Sequence, residues 1–347
     1  NQDNNVAIIS PFDGAMREEF VRDGFQVILF ENVYLPDNQK EFLQFVKCFQ
    51  LVICNTVVTF RAIPYLGTIT TPVVWWIHDS KESYNEGGFG NIMPQEVAPN
   101  IRVLCGGDYA RQQLLRYYPK YSAGVFLYGI KDSSSIEMTA CSEISVREDG
   151  KFLFVCVGTL ENRKGQDILC EAISLLSQQE RDRCKFLFIG KCLQESIWQK
   201  ISHLMEKYPN DVSYIPQVSR EQCQRIYQDA DCLICCSRDD PMPVVVTEMQ
   251  SLSKVVICSE NTGSASLMQE TNGGIVYKNN SPDELVEKIR CVLSMDDAQK
   301  TLIGFNARQT YLKFFSTKIF EDNVKELVEQ MCNEDVRVAH TGVSVVI

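Results

Sequence analysis

Short apolar runs and amphipathic stretches alternate through the second half of the chain. Phe152–Val157, Lys185–Ile189, Val212–Ile215, Cys232–Cys236, Val255–Cys258 and Ile275–Tyr277 have the length and apolar continuity of strands buried on both faces. Between them, Gln166–Gln178 sets Ile168, Leu169, Ala172, Ile173 and Leu176 on one helical face. Ser219 with Gln222, and Ser281-Pro282 with Glu284, have the spacing of helix openings, where a side-chain oxygen takes a free backbone N–H. Strands alternating with helices predict a parallel sheet covered on both faces. Val244–Thr247 runs against this, being four β-branched residues that favour strand locally. A helix from Pro243 is still expected, because proline suits a first helical turn and burial overrides weak propensity.

The first half repeats the rhythm less regularly. Strands are expected at Val6–Ile9, Gln26–Phe30, Leu51–Cys54, Val73–Ile77, Ile101–Leu104 and Val125–Leu127, and Asp108 is placed to cap a helix to Tyr118. Lys131–Asp149 is polar and serine-rich, as a linker would be. Thr317–Cys332 carries Ile319, Phe320, Val324, Leu327, Val328 and Met331 on one side and predicts a long C-terminal helix. The expected division is 1–135, then 136–316 opening with a linker over 136–149, then a helix and tail over 317–347.

A length of 347 residues accommodates two such domains, and 45% hydrophobic content fills their cores. A net charge of −11 argues against nucleic acid as a partner, so a phosphorylated ligand must be met by local cations and N–H groups. Cys54, Cys156, Cys232, Cys235, Cys236 and Cys258 lie in apolar runs, where a thiol acts as a small hydrophobe. With an odd total of 15 cysteines, that placement favours a reducing, cytoplasmic compartment over a disulfide framework. Asp229-Ala230-Asp231 precedes a strand instead of following one, a poor position for a metal, and no metal site is expected.

The most telling stretch is Ser237-Arg238-Asp239-Asp240-Pro241-Met242-Pro243-Val244-Val245-Val246-Thr247-Glu248, directly behind an apolar run. A buried strand ending here puts two carboxylates at the carboxyl edge of a sheet, where ligands of open α/β folds bind. The N–H groups of Val244, Val245 and Val246 would open a helix and face an anion. The segment Asp240–Glu248 resembles the acid-x7-acid motif of retaining glycosyltransferases of the GT-B type, with Asp240 where the family usually has Glu. Gly158-Thr159-Leu160-Glu161-Asn162-Arg163-Lys164-Gly165 resembles the family's donor-diphosphate loop, with Lys164 at its lysine position. Thr159 stands where many relatives carry arginine, and Arg163 is the nearest substitute.

The resemblance implies two Rossmann-like domains facing each other across a cleft, with the C-terminal helix crossing back to the first. It implies transfer of a sugar from a nucleotide-diphosphate donor to a glycan, lipid-linked or protein acceptor, with retention at the anomeric carbon. It further implies that Glu248 takes the ribose, Asp240 with the N–H groups of Met242 and Val244 the sugar, and Gln217 the base by backbone contacts. Gly158, Thr159, Arg163 and Lys164 take the diphosphate, and His78 lies near the reacting sugar. No cofactor or metal is implied, and UDP-sugars are favoured over GDP-sugars. A cytoplasmic enzyme, peripheral at the inner membrane surface, fits this picture, and its oligomeric state stays open. Relatives open with a strand, a glycine loop and a helix ahead of a segment like Val6–Phe20, so the first βα unit is expected to be missing, with Val343–Ile347 available to fill its place; the rival reading makes Val6–Ile9 itself the first strand and Pro11–Ala15 its loop. A non-catalytic sugar-nucleotide or partner-binding protein is the alternative reading. A dinucleotide oxidoreductase is disfavoured, since no G-x-G-x-x-G follows a strand.

Overall fold

The structure is a computed structural model that describes residues 5–33, 35–85, 88–136, 146–333 and 343–346. The chain divides into two compact units, Asn1–Leu127 with Glu321–Ile347, and Tyr128–Phe320. The division thus falls at Leu127 and not at 135. One reason is Asp132, whose carboxylate pairs with Arg308 and ties this stretch into the second unit.

The second unit is a six-stranded parallel sheet. Its strands are β7 (Phe152–Val157), β8 (Cys184–Ile189), β9 (Val212–Ile215), β10 (Cys232–Cys235), β11 (Val255–Ser259) and β12 (Ile275–Tyr277). They run in the order β12-β11-β10-β7-β8-β9. The chain therefore builds outward from β7 in one direction, returns, and builds outward from β10 in the other. The carboxyl ends of the strands at such a reversal are where open parallel sheets bind ligands. Alternate residues of β7 serve the two faces: Phe154 and Cys156 pack under helices Gln166–Leu175, Glu195–Lys207 and Pro282–Ser294, while Leu153 and Val155 join Ile226, Val246, Met249 and Met268. Val244–Ser251 is helical despite its β-branched start, since Val246 and Met249 are fully buried there. The helix from Gln166 stops at Leu175 instead of Gln178, because Ser177 opens a new turn through a reciprocal cap with Glu180.

The first unit holds β1 (Asn5–Ser10), β2 (Gln26–Leu29), β3 (Leu51–Asn55), β4 (Val73–Ile77), β5 (Ile101–Cys105), β6 (Ala123–Val125) and β13 (Val343–Val346). Their order is β2-β1-β13-β3-β4-β5-β6, all parallel. The strand from the end of the chain takes the central slot, with Val345 paired to Ala7 on one side and Val52 on the other. The last strand before the division is Ala123–Val125, slightly earlier than expected. Asp108 is the first helical residue and not the cap, its carboxylate turned to Arg111 and Gln112. Helix Thr317–Asn333 belongs to this unit from Glu321 onward, and Leu327 packs with Leu51, Val74 and Leu104. Among the described residues, no helix is long and apolar enough to cross a membrane.

Candidate functional site

The loops after β7 and β10, the two strands at the reversal, meet backbone to backbone. Gly165 has φ +67°, and a Cβ there would lie 2.0 Å from the carbonyl oxygen of Cys236. Glycine alone lets helix Gln166–Leu175 start against the end of β10. Gly263 does the same for helix Gly263–Thr271, where a Cβ would lie 1.8 Å from the Pro241 carbonyl oxygen. Asp240 is fixed between these contacts: its N–H donates to Asn261 at 3.2 Å and its carbonyl accepts from Gly263 at 2.9 Å.

The Asp240 carboxylate is almost fully buried and meets Lys164 Nζ at 2.6 Å and an Arg163 guanidinium nitrogen at 3.7 Å. Arg163 also pairs with Glu161 at 3.0 Å and donates to the carbonyl of Asp239 at 3.1 Å. Both expected cations are thus held, and their charge is shared with Asp240 and Glu161. Arg238 locks the assembly from behind. It grips Asp167 with two nitrogens at 2.7 and 2.9 Å and donates to Asn280 and to the carbonyl of Asn162. Burial works against charge on Asp167, yet Arg238 and Lys200 hold its carboxyl below the usual range. The sequence reading missed this brace, although Arg238 sits inside the motif it singled out.

Beside the ion cluster lies a cavity of about 450 Å³ lined by Gly158, Thr159, Gln217, Arg220, Gln224 and Glu248, among others. Its volume lies within the ~300–1,000 Å³ range of small-molecule sites. The Lys164 side chain crosses the Gly158 position, so the cavity and the ion cluster share this loop. Burial pushes the Glu248 carboxyl up, against Arg220 and a hydrogen bond from Tyr227, which favour its ionised form. Lys191 and Arg220 also line the cavity and form no ion pair among the described residues. They are the free cations of the site, and sequence reasoning did not name them. The cap at Ser219 was the available signal, because it puts Arg220 in a first helical turn at the carboxyl edge.

Gly158, Thr159, Gln217 and Glu248 therefore gather at one cavity, and Arg163, Lys164 and Asp240 gather beside it. Helix Val244–Ser251 opens as expected at Pro243, but the N–H of Val246 donates to the Pro243 carbonyl, leaving Val244 and Val245 as its first-turn donors. Met242 is buried, its sulfur accepting from Ser264 and its carbonyl from Tyr128. His78 belongs to the first unit, just past β4, with its ring 4.3 Å from that of Trp76. Burial lowers its pKa, which keeps the imidazole neutral near pH 7 and able to donate and accept. Asp231 accepts from the Leu153 N–H and pairs with Arg147, an architectural role. Among the described residues, no group of three or more His, Cys, Asp or Glu is placed to hold a metal.

Two parallel Rossmann-like units are the fold of GT-B glycosyltransferases. A glycosyltransferase from Rickettsia africae superposes with a TM-score of 0.76 at 18% identity, covering 95% of this chain and 90% of that one. HepE from Anabaena, in complex with UDP and glucose, superposes at 0.71 and 15% identity, covering 94% and 99%. The family of glycosyl transferases group 1 matches residues 139–309, which is most of the second unit. By sequence, an uncharacterised glycosyltransferase of Methanocaldococcus jannaschii is 23% identical over 234 residues, which are 66% of this chain and 60% of that protein. A granule-bound starch synthase of Pisum sativum is 30% identical over 133 residues, 38% of this chain and 21% of that protein. The matches span less than two thirds of either relative.

Proposed function

We propose that the chain transfers a sugar from a nucleotide-diphosphate donor, with UDP-sugars favoured, to a glycan, lipid-linked or protein acceptor. The observation that carries this reading is the paired arrangement at the strand reversal. A cavity holding one half-buried carboxylate, Glu248, adjoins a loop carrying two cations and the opening of helix Val244–Ser251. A nucleoside diphosphate has matching parts: vicinal hydroxyls for a carboxylate, and a diphosphate for cations and N–H groups. HepE, which shares the fold, is known in complexes with UDP, with UDP and glucose and with UDP-glucose.

In this mechanism the chemistry is departure of the nucleotide diphosphate, whose growing negative charge needs donors fixed in advance. Lys164 supplies one, shared between Asp240 and the phosphate when donor is bound. Arg163 and the N–H groups of Val244 and Val245 supply the others. Asp240 holds sugar hydroxyls and is not a nucleophile. His78, neutral at working pH, orients donor or acceptor hydroxyls. Retention at the anomeric carbon and independence of metal follow from the family resemblance. Peripheral attachment of a cytoplasmic enzyme to the inner membrane surface is part of the same proposal.

A thermal-shift panel of UDP-, GDP- and ADP-sugars tests the reading, because a ligand raises the melting temperature only if it prefers the native state. Stabilisation by a UDP-sugar, retained in EDTA, is expected; no stabilisation by any of the three defeats the proposal. The Lys164–Asp240 contact at 2.6 Å favours one second reading, a binding protein whose cluster stays closed. That protein would be stabilised by donor yet release no UDP with any acceptor.

A further inference from the structure

Helix Arg220–Asp229 turns one face to the cavity, with Arg220, Gln224 and Tyr227 at helical spacing along it. Gln224 and Tyr227 are only 2% and 3% exposed, which is deep for polar side chains. Both act on the same carboxylate. Gln224 Nε2 donates to Glu248 Oε1 at 3.4 Å, and Tyr227, which lines the same cavity, favours the ionised form of that carboxylate. Gln224 Oε1 is buried without a partner among the described residues, so the amide is not there to satisfy itself. A residue serving only the core would not bring a polar group here at that cost. Among the described residues, the other titratable groups that act on Glu248 are Arg220 and Cys223 on the same helix and Tyr128 from the start of the unit.

A carboxylate that accepts two vicinal hydroxyls must present both oxygens in one plane. Two donors from one rigid helix fix that plane more firmly than a loop would. We propose that Gln224 and Tyr227 are positioning residues that orient Glu248 toward a vicinal diol, and so set a preference for ribose over deoxyribose nucleotides. This rests on the nucleotide reading of the cavity given above.

The test is calorimetric binding of UDP and 2′-deoxy-UDP to the intact chain, across the acid to neutral range, for wild type, Tyr227→Phe and Gln224→Met. Wild type should prefer UDP by about tenfold or more, the equivalent of one hydrogen bond to a charged group. Tyr227→Phe should remove most of that preference while leaving deoxynucleotide binding nearly unchanged. It should also move the acid loss of UDP affinity to higher pH, because a donor that favours the ionised carboxylate is gone. Gln224→Met should show a smaller loss of preference, and decides the matter if Tyr227→Phe does not fold. Variants that keep the wild-type preference and acid limb overturn the inference, even if their melting temperatures fall. A wild type that binds UDP and 2′-deoxy-UDP equally overturns it too, but leaves the nucleotide reading standing. Failure of wild type to bind either one defeats both.

Discussion

The two units share a parallel-sheet plan but obtain their central strands differently. In the second, all six strands come from one continuous stretch, and the reversal between β7 and β10 is built from segments close in sequence to their own loops. In the first, the middle of the sheet is supplied by Val343–Val346 from the far end of the chain. Its helix Arg17–Arg22 buries no residue, and Phe12, Met16 and Val21 are exposed. A self-contained unit can hold a buried, charged site in register. A unit closed by a distant strand must pay a larger loop-closure entropy before its sheet is complete.

The strongest way to break this contrast is Val345→Pro. Proline removes a ladder N–H in a central strand, so the first unit should unfold while the second keeps its transition. Calorimetry that shows one unchanged transition would mean the slot does not hold the sheet together.

Next in size is Lys164→Ala, which leaves the buried Asp240 carboxylate with only the longer Arg163 contact. A loss of about 3–5 kcal/mol from the second unit is expected, with UDP affinity falling more than about tenfold. Adding Asp240→Asn should restore stability but not affinity. If the single variant melts like wild type, the pair is not structural.

Gly165→Ala should cost at least about 2 kcal/mol, from the left-handed backbone and the clash with Cys236. Urea unfolding of the second unit reads it, and an unchanged midpoint would show that the loops can part freely.

The smallest effect lies within the second unit, near its start. Arg308 holds the Asp132 carboxyl at about 2, below its ordinary value of 3.8. That contribution is complete above the ordinary value and is lost as pH falls toward the folded one. Arg308→Met should therefore lower stability by about 1 kcal/mol at neutral pH, with the difference from wild type shrinking in acid. A pH-independent difference would assign the effect to packing of the arginine stem.

Much of the second unit was legible in the sequence because its signals are local. Apolar runs marked strands, Ser219 and Ser281 marked helix starts, and each was found within a residue or two. The grouping of Gly158, Thr159, Gln217 and Glu248 was legible for the same reason, since all four follow strand ends on one edge of a parallel sheet. Arg238, Lys191 and Arg220 were not. A charged residue in a loop reads alike whether it is free, braced against Asp167 or turned into a cavity.

The amino-acid order alone determined the alternation of strands and helices, the edge where chemistry gathers and the residue types present there. Those follow from periodicity and turn chemistry, which act over a few neighbours. Tertiary structure decided which charges are spent: Arg163 and Lys164 are tied to Asp240 and Glu161, while Lys191 and Arg220 form no ion pair among the described residues. It also decided that the chain end enters the first sheet. Both outcomes depend on distances between segments remote in sequence, and only the folded chain brings those together.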